Sequence, residues 1–157
     1  MKINRSHSFL TALTFVIGTS FSTLHAEEKS PEFLHDYEEA LAAAEEADKP
    51  TIVIFSASWC PPCQQMKKAV YPSETVQPFH DKFIWTYLDA DDPKNGSVSA
   101  KFGVSGIPHI AFLKPDGDPV GYFSGALPPE NFAEVLDKVL GMVEKPESTV
   151  DVSAGTQ

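Results

Sequence analysis

Between residues 51 and 63 the chain changes its period. Thr51-Ile52-Val53-Ile54-Phe55 is an unbroken β-branched and aromatic run, the kind buried on both faces of a parallel sheet, and Cys60-Pro61-Pro62-Cys63 follows it closely. Proline is tolerated at the first helical positions, where its missing N–H would have no intrahelical partner, so a helix is predicted to begin at Cys60. A strand that feeds directly into a helix implies a layered α/β domain, and 157 residues leave room for one.

The rest of the chain alternates in the same way. Asp36-Tyr37-Glu38-Glu39 offers a side-chain acceptor and, three residues on, a carboxylate; this pairing caps a helix start, and the Ala-rich run to about Ala47 continues it until Lys49-Pro50. The Cys60 helix is predicted to reach Val70 before Pro72. A short helical turn over Glu74–His80, a strand over Phe83–Leu88, a polar loop over Asp89–Gly96 and a short helix near Val98–Phe102, closed by Gly103, should follow. Ile110–Leu113 and Val120–Phe123 flank Pro115-Asp116-Gly117-Asp118, a hairpin signature. Phe132, Val135, Leu136, Val139 and Leu140 then form one apolar stripe of a closing helix. The predicted fold is α/β, a central mixed sheet flanked by helices on both faces.

Residues 1–26 have a different character. Lys2 and Arg5 lead a Thr-dotted apolar stretch from Phe9 to Phe21 that lacks acidic residues, and Ala26 stands before Glu27. This is the pattern of a cleaved secretory signal peptide, and its apolar stretch is shorter than the ~20 residues that span a bilayer. We therefore expect a mature start at Glu27 and a periplasmic or secreted location rather than an uncleaved anchor. The folded domain is expected over 27–143, with 144–157 as a disordered tail. Cleavage removes two of 12 basic residues and none of 22 acidic ones, leaving a formal charge of −12. A surface so acidic repels nucleic acid and anionic lipid, so no nucleic-acid partner is expected.

The chemistry lies in the cysteine pair, the only cysteines in the chain. A thiolate at a helix start faces unpaired backbone N–H groups and the positive end of the helix dipole, which lower its pKa. Cys60 is thus the candidate nucleophile. Cys63, one turn later on the same side, is the candidate resolving thiol, placed to attack a mixed disulfide on Cys60. Pro61 and Pro62 each withhold a donor, so the lowering at Cys60 is expected to be moderate rather than extreme and to depend on the Cys63 amide and thiol. As a purely structural bridge the pair would close a very small loop, where the entropic gain is least. A closed zinc site needs four ligands and there is no second cysteine pair. Asp89, Asp91 and Asp92 lack the spacing and distal Glu of a calcium loop. Neither metal nor organic cofactor is expected.

Phe55-Ser56-Ala57-Ser58-Trp59-Cys60-Pro61-Pro62-Cys63 is similar to the active-site segment of the thioredoxin superfamily. Phe102-Gly103-Val104-Ser105-Gly106-Ile107-Pro108 resembles its cis-proline segment, and Gly125 follows the hairpin where the family has glycine. The similarity extends from about Tyr37 to Leu140. Met66 and the Val70–Val76 stretch are most similar to secreted thioredoxin-like domains and to the C-terminal domain of the bacterial transmembrane thiol:disulfide interchange protein. The Trp-Cys-Pro-Pro-Cys string also resembles tryparedoxin and nucleoredoxin.

This resemblance implies a cis peptide between Ile107 and Pro108, packed against the cysteines, with nearby backbone pairing to an extended substrate segment. Trp59, Pro61, Pro62, Ile107 and Pro108 are accordingly the expected supports of the site, while Trp85 is expected in the core. There are two departures. Ile54 stands where thioredoxin and the interchange domain carry a buried Asp near the resolving cysteine, and Lys67 stands where the interchange domain has Glu. Lys67 should either join Lys68 on a solvated face or reach inward and favour a thiolate. His109, directly after Pro108, is a candidate for proton exchange, or else fills the start of a strand.

The implied function is that of an exported thiol:disulfide oxidoreductase, working as a monomer on protein thiols and disulfides. A membrane-embedded or soluble redox partner would reset the Cys60–Cys63 pair. The competing class is a non-catalytic thioredoxin-like module that binds unfolded or basic proteins.

Overall fold

A computed structural model describes residues 30–144; the expected signal over 1–26 and the tail from 145 onward lie outside the described residues. Glu144, expected to open the tail, is instead the last residue of a helix.

A two-residue strand β1 (Phe33–Leu34) precedes α1 (Tyr37–Ala47). Asp36 caps α1 as the sequence predicts, its carboxylate accepting the Glu38 and Glu39 N–H groups. Asp48, in the left-handed region at φ 51°, ends that helix before Pro50 is reached. Strand β2 (Thr51–Ser56) is buried along its whole length. Helix α2 (Pro61–Gln65) takes Cys60 as its N-cap, one residue later than the predicted start, and continues as a π-helical turn over Met66–Val70. The Tyr71 N–H reaches back to the Met66 carbonyl at 3.0 Å, and Pro72 then stops the winding.

The predicted turn over Glu74–His80 lies further on, as a 3₁₀ helix over Gln77–Lys82, because Pro78 favours the first helical turn there. Strand β3 (Ile84–Asp89), a 3₁₀ turn at Pro93–Asn95, α3 (Gly96–Lys101), the hairpin β4 (His109–Leu113) and β5 (Pro119–Ser124), and α4 (Pro129–Glu144) complete the order.

The five strands run in the order β1-β3-β2-β4-β5. The first three are parallel to their neighbours and the hairpin strands antiparallel, so the sheet is mixed. Period-two alternation sorts the side chains onto two cores. Ile52, Ile54, Ile110 and Phe112 meet Met66 and Val70 of the α2 segment and Phe132, Leu136 and Val139 of α4. Val53, Phe55, Ala111 and Leu113 meet Tyr37 of α1 and half-buried Val98 of α3 on the other face. The central strand β2 ends at Ser56, and the chain continues through a short turn to the Cys60 cap of α2. None of the helices among the described residues is long and apolar enough to cross a membrane.

Candidate active site

The β2-to-α2 turn brings the two cysteines together. Cys60 and Cys63 form a disulfide with a Cα–Cα separation of 5.3 Å. The Cys63 N–H donates to Cys60 Sγ at 3.3 Å, so the first free amide after the two prolines is aimed at the outer sulfur. Cys60 Sγ also lies 3.7 Å from the Ile107 carbonyl oxygen. Cys60 is 3% exposed and Cys63 1%, so both are buried, and Cys60 Sγ is the sulfur that meets the helix-start amide. Ser58, Trp59, Pro61, Pro62, Ser105 and Gly106 around the pair are exposed, and the disulfide sits at a surface rim. A cavity of about 520 Å³, lined by Leu34, Lys49, His80 and Phe83 among others, lies at the opposite end of the sheet from the cysteines.

The supporting loop arrives from the hairpin. The Ile107–Pro108 peptide is cis, and half-buried Ile107 packs against Ala57, Cys60 and Cys63. The Gly125 N–H donates to the Pro108 carbonyl at 2.8 Å, and Gly125 adopts φ 99°, a conformation that side-chain-bearing residues rarely take. Glycine at the hairpin exit thus ties the proline loop to β5. Gln64 braces the other side, its amide donating to the Ala57 carbonyl at 3.0 Å.

Trp59 is 65% exposed, and its indole N–H donates to the Asp91 carboxylate, so an aromatic plate is held at the rim by the β3–α3 loop. Trp85 is core, at 2% exposure. Sequence reasoning read Asp89, Asp91 and Asp92 as a solvated turn and missed the contact from Asp91, which joins residues 32 apart with no local pattern to announce it. The second missed group is Ser56, buried at the end of β2, whose hydroxyl pairs with that of Tyr87 on β3 at 2.5 Å.

His109 is 1% exposed. Its Nδ1 meets the Ser124 hydroxyl at 2.9 Å, its ring stacks on Tyr122 with centroids 5.0 Å apart, and its Nε2 has no partner among the described residues. Burial lowers its pKa, which keeps the ring neutral. It occupies the face shared with Phe55, as a strand-filling residue would. Ile54 is fully buried in the core under α2. Lys67 is exposed, and its ammonium lies 4.6 Å from the centre of the Tyr87 ring, so the side chain bends back toward β3. Burial, with Tyr87 nearby, holds the Tyr71 phenol above its ordinary range.

With this geometry in place, comparison with known proteins is direct. Residues 37–140 match the family model described as a thioredoxin-like domain. The chain is 39% identical over 106 residues to the chloroplastic thioredoxin-like protein HCF164 of Oryza sativa subsp. japonica, covering 68% of this chain and 37% of that relative. It therefore spans little more than a third of that relative's length. Among solved structures it is similar to a thioredoxin from Thermus thermophilus, with TM-score 0.66 and 28% identity over 73% of this chain and 91% of that one. It also shares the fold of the oxidised DsbD C-terminal domain of Neisseria meningitidis, with TM-score 0.57 and 22% identity over 68% of this chain and 98% of that one.

Proposed function

Since the chain belongs to the thioredoxin-like domain family, we propose that it is an exported thiol:disulfide oxidoreductase in which Cys60 attacks and Cys63 resolves. The observation that carries this reading is the N-cap geometry: Cys60 Sγ accepts the Cys63 N–H at the helix start and lies beside the Ile107 carbonyl of the cis-proline segment. In the reduced protein the Cys60 thiolate attacks a substrate disulfide, forms a mixed disulfide and expels the first substrate thiolate. The Cys63 thiolate then attacks Cys60 Sγ, which restores the Cys60–Cys63 bond and releases the second substrate thiolate. The two electrons come from the dithiol, so the pair itself serves in place of a cofactor. Run backwards, the same steps oxidise a dithiol substrate.

Exposed Trp59, Pro61 and Pro62 with half-buried Ile107 form the surface that a protein substrate meets, and buried Pro108 supports it from behind. Extended substrate backbone is expected to lie along the Ile107–Pro108 segment, and a membrane-embedded or soluble redox protein resets the pair. The basic, apolar, acid-free run over residues 1–26 supports export by a cleaved signal.

Insulin reduction by the mature protein and by Cys60→Ser, together with trapping by Cys63→Ala in the producing bacterium, tests this reading. Exchange lost in Cys60→Ser, and mixed disulfides accumulating on Cys63→Ala in the exported fraction, are the expected results. Equal activity of wild type and Cys60→Ser would replace the enzyme with a non-catalytic binding module. A mature protein that begins at Met1 and stays in the cytoplasm would remove the export part alone.

A further inference from the structure

Between the end of β2 and the cap of α2 the chain makes one turn, from Ala57 to Cys60, closed by the Cys60 N–H donating to the Ala57 carbonyl at 3.2 Å. Ser58 and Trp59 at its crest are exposed, while Ala57 at its start packs against Cys60 and Cys63. Gln64 reaches both ends of this turn. Its main-chain N–H donates to the Cys60 carbonyl at 3.1 Å, and its side-chain amide crosses back seven residues to donate to the Ala57 carbonyl at 3.0 Å. The Ala57 oxygen therefore accepts twice, once from within the turn and once from α2. Gln64 is half-buried, which partly shields the second bond from competing water.

Placement of Cys60 counts for more here than at an ordinary helix start. A cap atom that drifts there meets another of the unpaired N–H groups of the first turn. In this chain Pro61 and Pro62 have no N–H, and the Gln64 N–H is taken by the Cys60 carbonyl. The Cys63 N–H, 3.3 Å from Cys60 Sγ, is the one first-turn donor left for the sulfur. Hydrogen bonds weaken steeply with misalignment, and those to a charged acceptor are the strong ones. A small shift of the Cys60 backbone is thus felt as lost support for the thiolate, and no neighbouring amide replaces it.

We infer that Gln64 is a positioning residue of the exchange reaction, which clamps the Ala57–Cys60 turn onto α2 and keeps the Cys60 sulfur on the Cys63 amide when the disulfide opens. It acts through Cys60 and rests on the exchange reading above. The other charged or titratable groups about the turn come from three elements. Lys67 and Lys68 follow on the α2 segment and are exposed, Asp91 of the β3–α3 loop is bonded to the Trp59 indole with Asp89 exposed beside it in sequence, and His109 of β4 is kept neutral by burial.

The test mixes the reduced mature protein with dithiobis(nitrobenzoate) over a pH series and follows absorbance by stopped flow. In the first phase the Cys60 thiolate, its proton already lost to buffer, attacks one sulfur of the probe, forms a mixed disulfide and expels one nitrothiobenzoate. Cys63 then attacks Cys60 Sγ and expels the second, so the probe receives both electrons of the dithiol. Gln64→Met matches the length of the side chain without a donor, and Gln64→Glu keeps its shape but replaces the donor with an acceptor. Each should move the pH midpoint of the first phase upward by about one unit, the worth of one hydrogen bond to a charged group.

A less acidic thiol is also the better nucleophile once ionised, by about threefold per unit. The Gln64→Met profile should therefore cross that of wild type, about threefold slower below the wild-type midpoint and about threefold faster above its own. Gln65→Met, at the exposed neighbouring position, should leave the profile unchanged. Unchanged midpoints in both Gln64 variants would overturn the inference, as would a shift of the same size in Gln65→Met. A rate lowered by one factor at every pH would also do so, because a merely structural loss acts in that way. A Cys60→Ser protein that releases nitrothiobenzoate as fast as wild type would overturn the exchange reading instead.

Discussion

Lowering the pH should destabilise this fold through His109, and the size of the effect follows from where the ring sits. The side chain is 1% exposed, stacked on Tyr122, edge-on to Phe55 and bonded through Nδ1 to Ser124, while Nε2 meets no partner among the described residues. Protonation would place a charge and an unpaired donor in that apolar slot, and burial accordingly lowers the pKa below its ordinary value of 6.5. The unfolded chain binds a proton that the fold refuses. The stability present above the ordinary value is therefore lost as pH falls through it toward the depressed folded value. For a ring that stays wholly neutral when folded, the loss between about pH 8 and pH 5 reaches a ceiling of about 2 kcal/mol.

Urea unfolding of the mature protein at a series of pH values measures this slope, and His109→Leu supplies the comparison. Leucine fills the slot without an ionisable group, and Ser124 is exposed, so its hydroxyl finds water. The variant should lose less stability than wild type on acidification, by up to the same ~2 kcal/mol, whatever its stability at high pH. Parallel slopes for the two proteins would refute the reasoning, because His109 would then titrate as freely inside the fold as outside it.

Gly125→Ala should cost about 1–3 kcal/mol through backbone strain alone, because a Cβ there meets nothing within 4 Å while φ stands at 99°. Since the Gly125 N–H holds the Pro108 carbonyl, exchange activity should fall further than unfolding midpoints indicate, as paired insulin assays and urea curves would show. Asp36→Ala removes the acceptor of two first-turn N–H groups of α1 and should lower stability by about 1 kcal/mol in the same unfolding assay, with insulin reduction unchanged. Asp91→Asn weakens the charge-assisted tie to Trp59, so the indole should show a smaller fluorescence change when the disulfide is reduced.

What was readable in the sequence was what a short stretch of chain decides by itself. The β2 run is legible because a strand buried on both faces needs no polar alternation, and the α1 start is legible because a cap is a contact between near neighbours. The β1 strand escaped notice for the opposite reason. Two residues have no period, and Phe33 is held by the distant rings of Tyr71, Trp85 and Tyr87. The π turn after α2 likewise depends on where Tyr71 finds its carbonyl, which composition does not encode. His109 was weighed for proton exchange because it adjoins Pro108. Strand alternation turns its ring onto the core face with Phe55, where burial keeps it neutral.

The same division runs through the chemistry. The placement of Cys60 depends on a strand end, two prolines and a helix start, all contiguous, so its geometry could be derived from thirteen consecutive residues, 51–63. The support around that segment comes from separate elements instead: Ile107, from the loop before β4, packs on the pair, and Asp91, from the loop after β3, holds Trp59. From the sequence, Ile54 reads as a missing acid, and Lys67 as a reversed charge that either joins a solvated face or reaches inward. In the fold Ile54 fills the core under α2, and Lys67 holds its ammonium over the Tyr87 ring, whose hydroxyl pairs with that of Ser56. The position of the outer cysteine is thus set by local sequence, and the support of the site by contacts between distant residues.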